Sequence, residues 1–315
     1  MKNSGTVKLD FNRLIDFIIE NSDYSGQRLI VEKEILHYDI INALDAHGLL
    51  NDLVFQGGTS LRLCRGSNRL SEDLDFAGGV DFCSAKLEKI KDCLEKSLTE
   101  RYGLHVYVKQ PAELMLEPDY ANIKVSKWQI SIETSPGSKS VPRQKIKIEI
   151  ANVPARTSEV LTIRENYPII GGGRMPVALR VETMDEILAD KIIAFPMSTK
   201  KIRHRDIWDI AWLLQQGAKL NHELVINKIS DYKVTDVYPS LLNKAIANIP
   251  EVANSEEFKA QMTRFIQPSV IDRTISKPGF TSYLAKENLS VFTEIQKRIC
   301  DESNQEPPAE VEFKM

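Results

Sequence analysis

The chain has 315 residues, 42% of them hydrophobic, and a formal net charge of -3, which suffices for a substantial core in one large or two medium domains. The near-zero charge excludes a global field for nucleic acid, and the absence of an N-terminal signal core or a bilayer-length apolar run argues against membrane insertion and places the protein in the cytoplasm. Cys64, Cys83, Cys93 and Cys300 show no Cys-x-x-Cys spacing and no histidines at zinc-ligand intervals, so they read as reduced thiols rather than a structural metal site.

Residues 9 to 48 have helical periodicity, first through Phe11, Leu14, Ile15 and Ile18, then through Leu29, Val31, Ile35, Leu36, Ile40, Ile41 and Leu44, with Gly48 as a C-terminal stop. A first segment, 1–50, is therefore expected to be helical. Short strands dominate the second, 51–182: Leu53 to Phe55, Asp73 to Phe76, Leu104 to Lys109, Trp128 to Glu133, Lys145 to Ile150 and Val177 to Val181 alternate or are β-branched. A charged helix from Ser84 to Gly103 interrupts them, and Ser135 to Ser138 and Gly171 to Gly173 are turn signals. The expectation is an α/β fold of the α+β kind, a mixed sheet with few helices rather than repeated βαβ units. The third segment, 183–300, is helical: Thr183-Met-Asp-Glu186 is a capping box opening a helix that Pro196 closes, and helices follow at 203–216, 221–231, 235–248, 254–266 and 279–300. The tail, 301–315, is too polar to bury and is expected to be disordered.

The chemistry concentrates in residues 55 to 76. Gly57-Gly58-Thr59-Ser60 follows an apolar strand and precedes a helix, so a glycine turn, two hydroxyls and a helix N-terminus with unpaired N–H groups coincide, as phosphate binding requires. Arg69 and Ser71 follow, then Asp73-Leu74-Asp75. On a strand, the period of two puts both carboxylates on one face while Leu74 and Phe76 enter the core. Two acids on one rigid face can share hard divalent cations, which bridge the phosphates of a nucleoside triphosphate. Gly-Gly-Thr alone is most often only a turn, and an Asp-x-Asp alone is most often solvated surface. Their succession within twenty residues is what points to a nucleotide site.

This stretch, with Glu32-Lys-Glu-Ile-Leu-His-Tyr-Asp39, Phe55-Gln-Gly-Gly-Thr-Ser-Leu61 and Arg69-Leu-Ser-Glu-Asp-Leu-Asp-Phe76, closely resembles the AbiEii/AbiGii toxin family of nucleotidyltransferases. The resemblance implies a DNA polymerase β-like nucleotidyltransferase core and the toxin half of a type IV toxin-antitoxin or phage-abortive-infection pair. Such a transferase needs a third acid. Glu149, on the polar face of Lys145-Ile-Lys-Ile-Glu-Ile150, supplies the candidate, and the family carries its third acid on such a strand. Lys191 and Arg203-His-Arg-Asp206-Ile-Trp-Asp209 resemble the family's C-terminal lysine and Arg-Asp-x-x-Asp signatures, which marks Lys191 and Asp206 as site residues and Asp209 as a weaker one. Acids in a first helical turn also complement the helix dipole without any other role. Ser71 matches a Ser/Thr position that some relatives have phosphorylated by their antitoxin, although a serine there also serves as a turn cap.

The expected reaction is Mg²⁺-dependent nucleotide transfer from an NTP to RNA, with Asp73, Asp75 and Glu149 on the metal. Gly57, Gly58, Thr59, Ser60, Arg69, Ser71 and Lys191 are expected on the nucleotide. The resemblance implies tRNA as acceptor, at its 3′ end, with translation arrested, and a cognate antitoxin as partner. Lys200-Lys-Ile-Arg-His-Arg205 is the candidate RNA patch, against the ordinary reading of a solvated basic face. Two rivals stand: transfer of a nucleotide to a protein hydroxyl, and an NTP-binding or GTP-binding interaction protein without turnover. His37 reads as structural, and Trp208 and Trp212 as core.

Overall fold

The computed structural model describes residues 10–111, 123–137, 141–167 and 176–305. The turn at 171–173 and the end of the turn at 135–138 lie outside these residues, as does the tail from 306. In chain order the elements are α1 (Phe11–Glu20), α2 (Arg28–Ala46), β1 (Val54–Gln56), α3 (Gly57–Arg65), β2 (Leu74–Ala77), α4 (Ile90–Tyr102), β3 (His105–Lys109), β4 (Val125–Glu133), β5 (Gln144–Ala151), β6 (Ser158–Thr162), β7 (Ala178–Glu182), α5 (Met184–Met197), α6 (His204–Gln215), α7 (His222–Asp231), α8 (Tyr238–Asn254), α9 (Glu256–Phe265), α10 (Pro268–Arg273) and α11 (Phe280–Gln305).

The strands form one seven-stranded mixed sheet in the order β3-β4-β5-β2-β1-β7-β6, with β2 parallel to β5, β1 parallel to β7 and the other neighbours antiparallel. Alternation decides what each face meets. On β5, Ile146, Ile148 and Ile150 are buried while Lys145 and Lys147 are exposed and Glu149 is half-buried. The isoleucines join Trp128, Ile130 and Ile132 of β4, Phe55 and Phe76, and the inner sides of α1, α2 and α4 in one hydrophobic cluster. The N-terminal helices thus cover one face of the sheet.

A second cluster is built from α5 to α11 and reaches the sheet through Val54, Ala77, Ala151 and Val153. Side-chain caps start several of its helices: Thr183 accepts from the Glu186 N–H at 3.3 Å, Asn221 from Leu224 and Ser255 from Phe258. Pro196 does not close α5 as expected but lies within its last turn. Having no N–H, it leaves the Ile192 carbonyl four residues back without its helical donor, and the buried Tyr238 hydroxyl donates to that oxygen at 3.1 Å. The last helix runs through Gln305, so residues 301–305, expected in the tail, are helical. A polar sequence needs no burial to continue an established helix, since each added residue closes a backbone hydrogen bond. Strand β6 was not expected because Ser158, Glu159 and Val160 are all exposed, which erases the period of two.

His37 of α2 is buried, and its Nε2 lies 3.0 Å from the Glu72 carbonyl oxygen, so the neutral ring donates there. Burial lowers its pKa to about 4 from 6.5. Between those values the unfolded chain binds a proton that the folded chain refuses, so stability falls as pH drops through this window, by at most about 3 kcal/mol. Urea unfolding from pH 7 to pH 4 should show a steeper loss in the wild type than in His37→Gln. Parallel curves would remove this residue from the acid response.

Candidate active site

The site is assembled by strand register. Gln56 of β1 pairs with Asp75 of β2, and Asp75 pairs with Glu149 of β5. The two carboxylates therefore leave neighbouring strands side by side, and Asp73 sits two residues before Asp75 on the same side. Asp73 Oδ1 accepts the Lys147 backbone N–H at 3.2 Å. The glycine pair that opens α3 is fixed by what approaches it. Gly57 has φ +75°, and a Cβ there would lie 2.7 Å from Asp75 Oδ2; a Cβ on Gly58 would lie 2.4 Å from Arg69 Nη2 and 3.2 Å from Ser71 Oγ. No larger residue leaves both the aspartate and the arginine where they are.

Thr59 and Ser60 do not reach this space. Both are buried: the Thr59 hydroxyl bonds the Asp73 carbonyl and Ser60 Oγ donates to the Gly57 carbonyl at 2.8 Å. The Thr59 hydroxyl ties the turn to the acid-bearing segment and the Ser60 hydroxyl closes the turn on itself, because a buried hydroxyl needs a partner. Both support the glycine turn from behind.

Opposite the acids stands a buried ionic network. Arg69 gives Asp209 a two-pronged contact, Nε to Oδ1 and Nη2 to Oδ2, both at 2.6 Å, and donates Nη1 to the Leu70 carbonyl. Lys191 Nζ lies 2.7 Å from Asp209 Oδ2 and 3.0 Å from Asp206 Oδ1, and Arg203 Nε also bonds Asp206. Burial alone would raise both aspartates, but Arg203 and Lys191 hold Asp206 well below the usual carboxylate range, and Arg69 and Lys191 lower Asp209 from its ordinary value. Asp209, the weaker candidate from sequence, is thus the residue both cations share. Lys191 is held by two carboxylates rather than extended as a lone charge.

Between the acids and this network lies a cavity of about 520 Å³, lined among others by Gly57, Gly58, Arg69, Ser71, Asp73, Asp75, Glu149, Lys191, Arg203 and Asp206. The structure therefore brings together every expected site residue except Thr59 and Ser60. It adds Glu72, Asp190, Lys201, Arg205 and Tyr232. Glu72 gathers Lys33 at 2.9 Å, Arg264 at 3.0 Å and Arg205 at 3.3 Å. Its position between Ser71 and Asp73 was the available signal; its partners, on α2, α6 and α9, were not. In the basic run 200–205, Arg203 and Arg205 engage these acids and line the cavity, while Lys200 is exposed.

Over residues 39–286 the sequence matches the family described as nucleotidyl transferase AbiEii toxin of type IV toxin-antitoxin systems. The chain belongs to the AbiEii nucleotidyltransferase toxin family. The fold is similar to that of MenT4, a nucleotidyltransferase toxin from Mycobacterium tuberculosis H37Rv, with 17% identity, a TM-score of 0.58 and coverage of 94% of this chain and 96% of that one. JHP933 from Helicobacter pylori also aligns, at 17% identity over 87% of this chain and 95% of its own, with a TM-score of 0.46. No match is found among curated proteins. The family makes this AbiEii protein a nucleotidyltransferase and a type IV toxin, with an NTP as substrate and an antitoxin as partner. No described helix is long and apolar enough to cross a membrane.

In the AbiEii toxin the acids crowd one another. Burial, then Glu149, then Asp73 raise the Asp75 carboxyl to about 7. Among the described residues no group of three His, Cys, Asp or Glu side chains forms a ready-made metal cage; Lys127 and Lys147 draw the Glu149 carboxylate to 3.6 and 3.8 Å, and a backbone N–H draws Asp73. The donor set nevertheless fits a hard divalent cation: adjacent all-oxygen ligands whose mutual repulsion such an ion relieves. Because the folded pKa of Asp75 lies above the unfolded 3.8, its ionisation costs stability as pH rises to about 7 and levels off beyond. Asp75→Asn in metal-free buffer should gain melting temperature over the wild type progressively from pH 4 to pH 7; a variant less stable throughout that range would contradict the repulsion. Asp209→Ala leaves buried Arg69 without its carboxylate and Lys191 with Asp206 as its remaining partner, and should lose ~3–5 kcal/mol in urea unfolding. A loss under about 1 kcal/mol would mean the network is not what holds α6 to the core.

Proposed function

We propose that this toxin transfers a nucleotide from an NTP to the 3′ end of an RNA, with tRNA as the acceptor, in a Mg²⁺-dependent reaction that blocks aminoacylation and arrests translation in the cytoplasm. The observation that carries the reading is the pairing of Asp75 with Glu149 beside Asp73, facing a cationic wall across one cavity. A divalent cation held by Asp73, Asp75 and Glu149 supplies Lewis acidity and charge neutralisation at the reacting phosphate. The chain's own groups do the rest. The Gly57-Gly58 turn, with no Cβ in the way, admits phosphate oxygens to the start of α3. Arg69, Lys201, Arg203 and Arg205 offset the charge of the β- and γ-phosphates. The acceptor hydroxyl attacks the α-phosphorus, its proton passes to the acid cluster, the α–β bridging bond breaks and pyrophosphate leaves.

An RNA acceptor is favoured by the open face of β4 and β5. Lys127 lies opposite Glu149, with Lys147 and Lys145 two and four residues before it on the same face. This line of ammonium groups leads away from the acids at the spacing of a strand and suits the phosphates of an incoming chain end. Ser71 is nearly buried beside Gly58 and Arg69 in the cavity wall, so a phosphate added there by an antitoxin would take the place of substrate phosphate. Phage defence follows as the setting for such a regulated toxin.

Purified protein with Mg²⁺, each labelled NTP in turn and total tRNA should label tRNA, and Asp73→Ala and Asp75→Ala should each lower that transfer by at least a hundredfold. Label appearing on protein instead would give the acceptor role to a protein hydroxyl, and undiminished transfer by both variants would sink the assignment of the acids.

A further inference from the structure

The two ends of the cavity differ in chemistry, and the strand registers say which end is which. Gln56, Asp75 and Glu149 stand in one row across β1, β2 and β5. On one side of that row come Gly57, Gly58 and Asp73, with Arg69 against Gly58. On the other side come Ala151, paired with Ala77 and Val125. Ala151 and Val125 line the cavity, as do Ile187, Asp190 and Tyr232. Helix α5 contributes Ile187, Asp190, Lys191 and Ala194 to the same cavity, and Ser198 follows at its end, a span of roughly 16 Å. A nucleotide whose α-phosphate lies at the acids and whose outer phosphates lie at the glycine turn therefore has its base among Val125, Ala151, Ile187 and Tyr232.

One polar group faces that apolar end with its position fixed from behind. Asp190 Oδ1 accepts from the Tyr232 hydroxyl at 2.9 Å and lies 3.1 Å from Lys228 Nζ. Lys228 is fully buried and also meets Glu186 Oε1 at 2.6 Å and Glu182 Oε1 at 3.2 Å. Three acids around one buried lysine cost more in desolvation than an apolar packing of the same volume, so the arrangement is not explained by stability. Glu182 and Glu186 are completely covered, whereas the Asp190 side chain keeps 17% of its surface exposed. What the cluster delivers to the cavity is one rigid carboxylate edge.

We propose that Asp190 reads the nucleobase: its carboxylate accepts a hydrogen bond from an exocyclic amino group, so the toxin selects adenine, cytosine or guanine over uracil. The proposal rests on the nucleotide-binding reading of the cavity. A carboxylate paired with an ammonium ion is an acceptor without a proton to give. An exocyclic amino group satisfies it, whereas uracil, which carries a carbonyl oxygen in place of the cytosine amino group and only a ring N–H as donor, sets like partial charge against the carboxylate at that position. Hydrogen bonds to charged groups in such sites are worth enough to shift binding by tenfold or more.

The test is equilibrium binding, which does not depend on transfer. ATP, CTP, GTP and UTP are titrated into the wild type and Asp190→Asn, together with the counterpart of the tightest binder that lacks its exocyclic amino group: purine riboside triphosphate for ATP, the 4-deamino triphosphate for CTP, inosine triphosphate for GTP. The expected result is that UTP binds the wild type at least tenfold more weakly than the best nucleotide, and that deleting the amino group costs about tenfold in the wild type and less than twofold in Asp190→Asn. Inorganic tripolyphosphate should bind both proteins equally. If Asp190→Asn does not fold, Tyr232→Phe, which keeps the ring, removes one of the two donors to Asp190 Oδ1 and leaves the carboxylate held by Lys228 alone, should reduce the amino-group penalty at least threefold. UTP as the tightest ligand, an amino group without effect in the wild type, or an equal penalty in the variants overturns the proposal. Selective binding without label transfer would leave Asp190 its role while removing the proposed reaction.

Discussion

The carboxylate of Asp209 is the point on which the site depends. It sits in α6, takes the whole fork of Arg69 from the loop after α3, and shares Lys191 with Asp206. Three cations, Arg69, Lys191 and Arg203, meet two anions there, so the network is internally paired and still presents one net positive charge to the cavity. Its geometry propagates. Arg69 can reach Asp209 only by passing where the Cβ of residue 58 would be, which is why that position is glycine. The same loop is pinned to the helical half by the Leu70 N–H on the Phe265 carbonyl at 2.8 Å. A nucleotide pocket between a sheet and a helical bundle has to keep its two walls at a fixed distance, and charge pairs desolvated on both sides do this more strictly than apolar packing, since they tolerate little displacement.

The two walls are treated oppositely. On the cationic wall nearly every charge has its partner, and the aspartates are held ionised. On the acid wall burial, and then crowding by Glu149 and Asp73, raises the Asp75 pKa to about 7. The acid wall therefore holds the like-charge repulsion of the cavity, which the proposed cation would relieve. Asp73 accepts one backbone N–H and Glu149 draws Lys127 and Lys147 to 3.6 and 3.8 Å, so the acids are supported from the sheet side.

The sequence made much of this legible because the decisive features are local. The alternation in Asp73-Leu74-Asp75 and Lys145-Ile-Lys-Ile-Glu149 needed only the period of a strand, and it correctly separated core isoleucines from polar-face acids. What was illegible is whatever depends on register or on distant partners. Thr59 and Ser60 carry the same hydroxyl whether it faces a phosphate or a backbone carbonyl, and their burial decides the latter. Asp209 looks like any acid in an amphipathic helix until Arg69, 140 residues earlier, is placed against it. Glu186 illustrates a signal that was half right: Thr183 caps it as the spacing requires, yet its carboxylate turns away to the backbone N–H groups of Arg156 and Thr157 and to Lys228.

That turn of Glu186 explains why a buried lysine is found behind the cavity at all. Once the carboxylate leaves the helix end, it carries charge into the bundle beside Glu182 and Asp190, and Lys228 is what makes three acids tolerable there. Burial works against the Lys228 charge, but the three carboxylates outweigh it and hold the ammonium form firmly. The same ion then orients the one carboxylate that remains in contact with the cavity. A helix that begins as an ordinary capped element thereby carries, on adjacent residues, a positioned acceptor at Asp190 and a positioned cation at Lys191. Adjacent residues on one helix diverge by about 100°, so Asp190 can lean on the lysine behind it while Lys191 leans on the aspartates of α6, and both edges still border the same space.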